Sequence, residues 1–202
     1  MTEFWEQSFR DKQAMWGQEP TQAARVAAAT FAAKGFKNIL VPGIGYGRNA
    51  QAFLALGMQV TGIEISATAL GLATQQYGTA LQLYHGSVTD MPFDDKQYDG
   101  IFCHALIHLL DAPERAKLIA ACYNQLVPRG LMIFTTITKA SPTYGQGTLI
   151  GKDRYEQFGG VHMFFYDRET IAEAFGPYGL TGVEEITENL PFYQVTCCKT
   201  SA

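Results

Sequence analysis

The chain is poor in charge and in the residues that build metal or disulfide frameworks. Of its 202 residues, 17% are charged, and the formal net charge is −4. That balance disfavours a protein that works by neutralising a phosphate backbone, which needs a basic face. The four cysteines, Cys103, Cys122, Cys197 and Cys198, form no C-x-x-C pair, so no metal site is expected. No window of about 18 or more apolar residues is present, so no membrane span is expected. The opening stretch MTEFWEQSFRDKQAMW mixes charges with aromatics and lacks the apolar core of a signal peptide. A cytoplasmic protein with reduced thiols is therefore expected. No internal repeat, low-complexity tract or domain linker is visible. What is present is a 47% hydrophobic composition, enough over this length for one domain with a substantial core.

From about residue 20 onward, strand and helix patterns alternate. ATFAAKGFK ends an alanine-rich helix, with Gly35 as its stop. NILV reads as a buried strand, followed by a helical spacing of Ala50, Phe53, Leu54 and Leu56 that ends at Gly57. QVTGIE, LQLYHG, YDGIFCHAL and GLMIFTTIT read as further strands. Between them lie a helix capped by Ser66 and another with Pro113 in its first turn. Repeated βα units imply a mostly parallel sheet with helices on both faces. TGVEEITEN and FYQVTCCKT read as a closing antiparallel pair after the helix RETIAEAFG. The expected architecture is α/β: a Rossmann-like, doubly wound, seven-stranded and mostly parallel sheet with an antiparallel C-terminal strand pair. From Lys139 to Asp167 no clear helix or strand is read, and a connection this long is usually functional or disordered.

The densest signal is NILVPGIGYGRNA. Gly43, Gly45 and Gly47 alternate between the first strand and its helix, at the carboxyl edge where doubly wound sheets bind ligands. Glycine lets the backbone approach a ligand and take positive φ, and a helix N-terminus adds free N–H groups and partial positive charge. A dinucleotide site calls for a third glycine where Arg48 stands, and no Tyr-x-x-x-Lys pair is present. The segment GTLIGKD has the wrong spacing for a P-loop and ends in Asp153. A glycine-rich turn without ligand is a further reading. S-adenosylmethionine (SAM) sites typically use GxGxG, which fits directly. Glu64 at the end of the second strand could accept hydrogen bonds from both ribose hydroxyls, and acids are depleted in strands.

With LVPGIGYGRN, GIEIS and GSVTDMPFDDKQYDGIFCHALIHLL on the page, the chain resembles a class I SAM-dependent methyltransferase from roughly Asn38 to the C-terminus. The resemblance implies SAM as cofactor and S-adenosylhomocysteine as product. By position, Gly43, Ile44, Gly45, Tyr46 and Gly47 would line the methionine and ribose end. Glu64 would hold the ribose, with Ile65 on the adenine face and Ser87 and Val88 along the adenine edge. Cys103 would contact the methionine through its backbone. The family often has an acid where Val41 stands, and many members have one where Ser87 stands.

FWEQSFRDKQAMWGQEP carries Trp5, Phe9 and Trp16 in a charged setting. It reads either as a helix packing its aromatic face on the core or as a cap over the site. Together with LVPG it is loosely similar to the thiopurine, halide and thiol methyltransferase group, in which such a segment closes over SAM and a small acceptor. The whole chain, 1–202, is expected to be one methyltransferase domain. Within it, 1–20 would be a cap segment carrying Trp16 against the cofactor, and 139–167 a substrate-side loop able to move as a lid on its glycines. Methyl transfer from a sulfonium needs chiefly alignment and exclusion of water. His104, at the carboxyl end of the fourth strand, and Tyr144, in the long connection, are the candidates for assisting deprotonation. His85, His108 and His162 read as structural. A small-molecule acceptor, no nucleic acid, no membrane and a monomer or homodimer complete the expectation. The alternatives are an RNA or protein methyltransferase, and a SAM-binding protein without turnover.

Overall fold

The computed structural model describes residues 2–201. The elements run α1 (Thr2–Lys12), α2 (Gln22–Ala33), β1 (Asn38–Pro42), α3 (Ala50–Leu54), β2 (Gln59–Glu64), α4 (Ala67–Tyr77) and β3 (Leu81–His85). Then follow β4 (Tyr98–His104), α5 (Ala112–Gln125), β5 (Leu126–Ile137), three short strands β6 (Thr148–Gly151), β7 (Arg154–Gln157) and β8 (Val161–Phe164), α6 (Arg168–Phe175), β9 (Leu180–Thr187) and β10 (Pro191–Cys198). The main sheet has seven strands in the order β3-β2-β1-β4-β5-β10-β9. Its first five strands are parallel, and β10 runs antiparallel to both β5 and β9. This is the expected doubly wound sheet with its antiparallel pair.

The central strands are buried on both faces of the sheet, and their sequences say why. After Asn38, every residue of β1 is buried, as is every residue of β2 after Gln59; these are the near-continuous apolar runs of a strand covered on both sides. One face packs Leu40, Ile101, Met132 and Phe134 against Leu118, Ile119 and Cys122 of α5 and Ile171 and Phe175 of α6. The other packs Ile39, Val60, Phe102 and Ile133 against the alanines and Phe31 of α2 and Phe53 of α3. Each large side chain so buried contributes about 1.5–3 kcal/mol.

Helix starts follow local chemistry. The Ser66 hydroxyl accepts from Ala69 N–H to cap α4, as its sequence position predicts. Asp111 and Glu114 form a reciprocal capping box at α5, with Pro113 in the first turn. Asp167 and Thr170 do the same at α6. Cys197 is buried and its neighbour Cys198 only half so, as two adjacent residues on one strand must be.

Two expectations are corrected. The stretch 139–167 does contain regular structure: β6, β7 and β8 form their own antiparallel three-stranded sheet, joined to the end of β5 by the Thr138–Tyr166 bridge. Its strands are four residues each, too short for alternation to stand out. The Gly147 α-carbon sits so close to β7 that a Cβ there would lie 2.1 Å from the Glu156 carbonyl oxygen. That glycine is a packing requirement and not a hinge. The second correction concerns α3, whose regular helix is only five residues long. The loop before it therefore offers its own N–H groups, with little helix dipole behind them.

Candidate active site

The strand order turns back between β1 and β4. These two strands pair only through Ile39–Gly100 and Leu40–Ile101, and past that point they part. The crevice so opened has the glycine loop on one lip and residues 103–106 on the other, at the switch point where open α/β sheets bind ligands.

The glycine loop is fixed to the end of β2. Gly43 N–H and Ile44 N–H both donate to the Ile63 carbonyl, at 2.8 and 3.1 Å. Gly43 has φ +70°, which favours glycine, and a Cβ there would lie 2.8 Å from Leu106 Cδ2 across the crevice. The Ile44 side chain turns inward onto Gly62, where a Cβ would lie 2.4 Å from Ile44 Cδ1. Its contribution to the loop is therefore its backbone.

Glu64 is buried at the end of β2, with 7% of its surface exposed, and its carboxylate reaches back to the loop. One oxygen accepts from Gly45 N–H at 2.9 Å; the other accepts from Ile65 N–H at 2.9 Å and Ser66 N–H at 3.0 Å. Burial pushes its carboxyl up from the ordinary value, against the pull of the three N–H groups and nearby His85. A carboxylate has about four lone-pair positions, so three donors leave acceptor capacity. Glu64 thus holds the loop in shape and can still receive a polyol. The adjoining residues collect here. Gly86 N–H donates to the Glu64 carbonyl at 3.0 Å, which brings Ser87 and Val88 beside it. Val88 is buried, while the Ser87 hydroxyl is engaged by Thr89 N–H at 3.2 Å and Thr89 Oγ1 at 2.8 Å. The carbonyl of half-buried Ile65 lies 3.1 Å from His85 Nε2.

The N-terminal segment lies on this loop. Phe9 is buried against Tyr46 and Ala69, and its Cζ is 3.8 Å from where a Gly45 Cβ would be. Trp16 stacks on Tyr46 at 6.3 Å and 10° and meets Phe9 and Trp5 edge-on or tilted. The Tyr46 hydroxyl donates to the Gly17 carbonyl at 2.7 Å and accepts from Trp16 N–H at 3.2 Å; burial raises its pKa. Arg48 Nη1 donates to the Trp16 carbonyl. Tyr46 and Arg48 therefore serve the docking of the N-terminal segment, a role that motif reasoning about the loop did not show. Glu6 completes the docking. Its carboxylate accepts from Ser66 Oγ and Thr68 Oγ1, both at 2.6 Å. No local pattern marks it, because its partners lie some sixty residues away.

On the opposite lip, Cys103 has its side chain wholly within the core beside Cys122 and Phe134. Burial drives its thiol pKa far up, so only its backbone can face the crevice. His104 stacks between Phe102 (6.0 Å, 17°) and Phe192 (6.1 Å, 11°), and its Nδ1 lies 2.8 Å from Thr135 Oγ1. Burial and Arg48 bring its pKa down to about 4, so it is neutral at physiological pH. His108 is buried, its pKa pulled down to about 3 by the same desolvation and by His104. Sequence reasoning passed over Thr135 and Phe192, which lie far from His104 along the chain.

Leu106, Trp5, Phe4, Tyr144 and Tyr155 pack on one apolar cluster with Phe165 and Phe192, and Phe192 of that cluster stacks on His104. The Tyr144 hydroxyl donates to Asp153 Oδ1 at 2.7 Å, and Asp153 pairs with Lys139 at 2.8 Å. That bond to Asp153, with burial, raises the Tyr144 pKa. The Tyr144 ring packs edge-on against Tyr155 and Phe165, and its hydroxyl is committed to the ion pair. Phe158, by contrast, is 70% exposed at the far turn. No group of metal-binding side chains occurs among the described residues, and no described helix is long and apolar enough to cross a membrane.

A glycine loop pinned by a buried acid at the β1–β4 switch point, on this strand order, defines the class I methyltransferase fold. Residues 40–134 match the family model described as a methyltransferase domain. A ubiquinone biosynthesis O-methyltransferase of Aromatoleum aromaticum is 29% identical over 112 residues, covering 54% of this chain and 47% of that protein. One of Pseudomonas putida is 28% identical over 115 residues, with the same coverage. The chain thus spans about half the length of the curated relatives it matches. Among solved structures, the Burkholderia thailandensis 1,6-didemethyltoxoflavin-N1-methyltransferase, with bound 1,6-didemethyltoxoflavin and S-adenosylhomocysteine, superposes with TM-score 0.77. It is 19% identical, over 99% of this chain and 87% of that one. The magnesium protoporphyrin IX methyltransferase of Synechocystis, with bound SAM, superposes with TM-score 0.72 at 14% identity, over 98% and 97% of the two chains. These matches carry the class I fold and lend nothing to the looser similarity with the thiopurine, halide and thiol group.

Proposed function

We propose that this chain transfers the methyl group of SAM to a small-molecule acceptor by in-line displacement. The observation that carries the reading is the Glu64 carboxylate, buried and fastened to the Gly45 N–H, which builds a polyol-binding acid into the glycine loop itself. In this reading Glu64 receives the ribose hydroxyls, Ile65 packs on the adenine, and Ser87 and Val88 border its edge. The backbone from Gly43 to Gly47, with Ile44 and Tyr46 inside it, and that of Cys103 face the methionine end. Trp16 closes the site from outside. SAM supplies an activated methyl group on a sulfonium. The chain's own contribution is to orient the acceptor on the wall formed by Leu106, Tyr144 and Tyr155, exclude water and offer aromatic faces to positive charge.

The relatives named O-methyltransferases favour an oxygen acceptor, and the net charge of −4 argues against RNA. Calorimetry with S-adenosylhomocysteine, SAM and NAD tests the cofactor. A micromolar-range S-adenosylhomocysteine site is expected, weakened at least tenfold, or about 1.4 kcal/mol, by Glu64→Ala. No detectable binding, or tight NAD binding, would end the reading.

A further inference from the structure

The inference rests on the proposed methyl transfer and concerns what His104 does in it. Thr135 is wholly buried, so its hydroxyl hydrogen needs an acceptor. Its oxygen already accepts from Ala105 N–H at 3.1 Å. Among the described residues, the remaining hydrogen-bond partner of that hydroxyl is His104 Nδ1, at 2.8 Å. If Nδ1 carried a hydrogen, it and Ala105 N–H would both point at the Thr135 oxygen, and the hydroxyl hydrogen would be left buried without a partner. The satisfied arrangement has Thr135 donating to Nδ1. A neutral imidazole then carries its hydrogen on Nε2.

The surroundings hold this arrangement. Phe102 and Phe192 fix the ring plane. Ala105 takes φ +52°, costly for a residue with a Cβ, and its N–H bonds both the carbonyl and the hydroxyl of Thr135. Strain of this kind persists where surrounding structure over-determines it. Nε2 has no protein partner among the described residues. The charged or titratable groups that act on the ring are Arg48 and His108; His108 is neutral, and Arg48 makes no ion pair among the described residues. Both the Nε2 hydrogen and the Arg48 charge therefore favour negative charge at this lip.

We propose that His104 is a hydrogen-bond donor to the methyl acceptor and not its base, with Thr135 the positioning residue that sets its tautomer. The substrates are then acceptors that ionise near neutral pH with such help, namely thiols and acidic phenols, and not alcohols. The step balances without a base. A lone pair of the ionised acceptor makes the new bond to the methyl carbon, the carbon–sulfur pair leaves with sulfur, and no proton moves.

Long-range proton–nitrogen correlation spectra of the histidine-labelled full chain at neutral pH read the tautomer without any ligand. His104 is expected as the Nε2–H form in the wild type and in Thr135→Ser, and as a mixture or the Nδ1–H form in Thr135→Val. An Nδ1–H form in the wild type overturns the proposal. The second arm offers SAM with 4-nitrothiophenol, 4-nitrophenol or benzyl alcohol and follows product by mass spectrometry. Transfer to the thiol and phenol is expected, at least tenfold faster than to the alcohol. His104→Gln, which keeps a donor, should stay within about threefold, while His104→Ala should fall at least tenfold. Equal loss in both variants, transfer to the alcohol at a matching rate, or no transfer to the thiol and phenol overturns the assigned role or substrate class. Failure of the methyl-transfer reading itself would register separately, as absence of S-adenosylhomocysteine binding in calorimetry.

Discussion

The Glu6 carboxylate of α1 and the Ser66 hydroxyl at the start of α4 lie 2.6 Å apart, and Ser66 N–H simultaneously donates to Glu64. One serine therefore joins the N-terminal segment to the acid that holds the glycine loop. Thr68 adds its hydroxyl at 2.6 Å and its N–H at 3.3 Å, so Glu6 sits as a carboxylate at a helix N-terminus, where negative charge is favoured.

These bonds set a pH dependence. Hydrogen bonds from Ser66 and Thr68 lower the Glu6 pKa from 4.5 to about 2. A depressed carboxylate pKa contributes to docking above the free value, and the contribution is lost as pH falls through the docked value. Trp5 and Trp16 report on α1, because both pack in its aromatic group. Their fluorescence should be steady from neutral pH to about 4.5 and should change progressively between about 4.5 and 2. In Glu6→Gln that low-pH change should be absent, with α1 amides exchanging faster at neutral pH. An unchanged profile in the variant would show that α1 is held by its aromatics alone.

Tyr166 presents the opposite situation. It is 1% exposed in the core, and its hydroxyl has no hydrogen-bond partner among the described residues. Burial drives its pKa far up, and an unpartnered buried polar group costs about 1–3 kcal/mol. Tyr166→Phe removes the oxygen and keeps the ring, which packs edge-on against Phe164 at 4.7 Å. Urea unfolding should show the variant as stable as the parent or more stable, by up to about 1 kcal/mol. A loss above about 1 kcal/mol would mean that the hydroxyl is satisfied, by water or otherwise.

The main sheet was legible because its central strands are buried on both faces and carry apolar or β-branched residues between turn signals, as in NILVP and QVTGIE. The glycine loop and Glu64 were legible because their residue types are costly anywhere else: positive φ calls for glycine, and a buried acid calls for donors. The small sheet was hidden because β6, β7 and β8 are four residues each, and β6 is wholly exposed. The pairs that give His104 and Glu6 their settings were hidden for a different reason. Thr135 lies 31 residues from His104 and Ser66 lies 60 from Glu6, and which side chains meet across such distances is decided by the fold and not by any local pattern. For the same reason, no local pattern showed the bond that ties the Tyr144 hydroxyl to Asp153.

Gly43 and Leu106 face each other across the crevice, and their closeness makes the site sensitive to one methyl group. Gly43→Ala places a Cβ at φ +70°, 2.8 Å from Leu106 Cδ2. The left-handed backbone alone costs about 1–2 kcal/mol for alanine, and the collision adds to it unless Leu106 moves. Leu106→Ala removes the collision and leaves the backbone cost. The double variant should therefore lose less stability than the sum of the two single variants, with a coupling of about 0.5–3 kcal/mol read from urea unfolding in a double-mutant cycle. Additive losses would mean that Leu106 swings aside freely. The crevice would then be wider in solution than the contact between its two lips suggests.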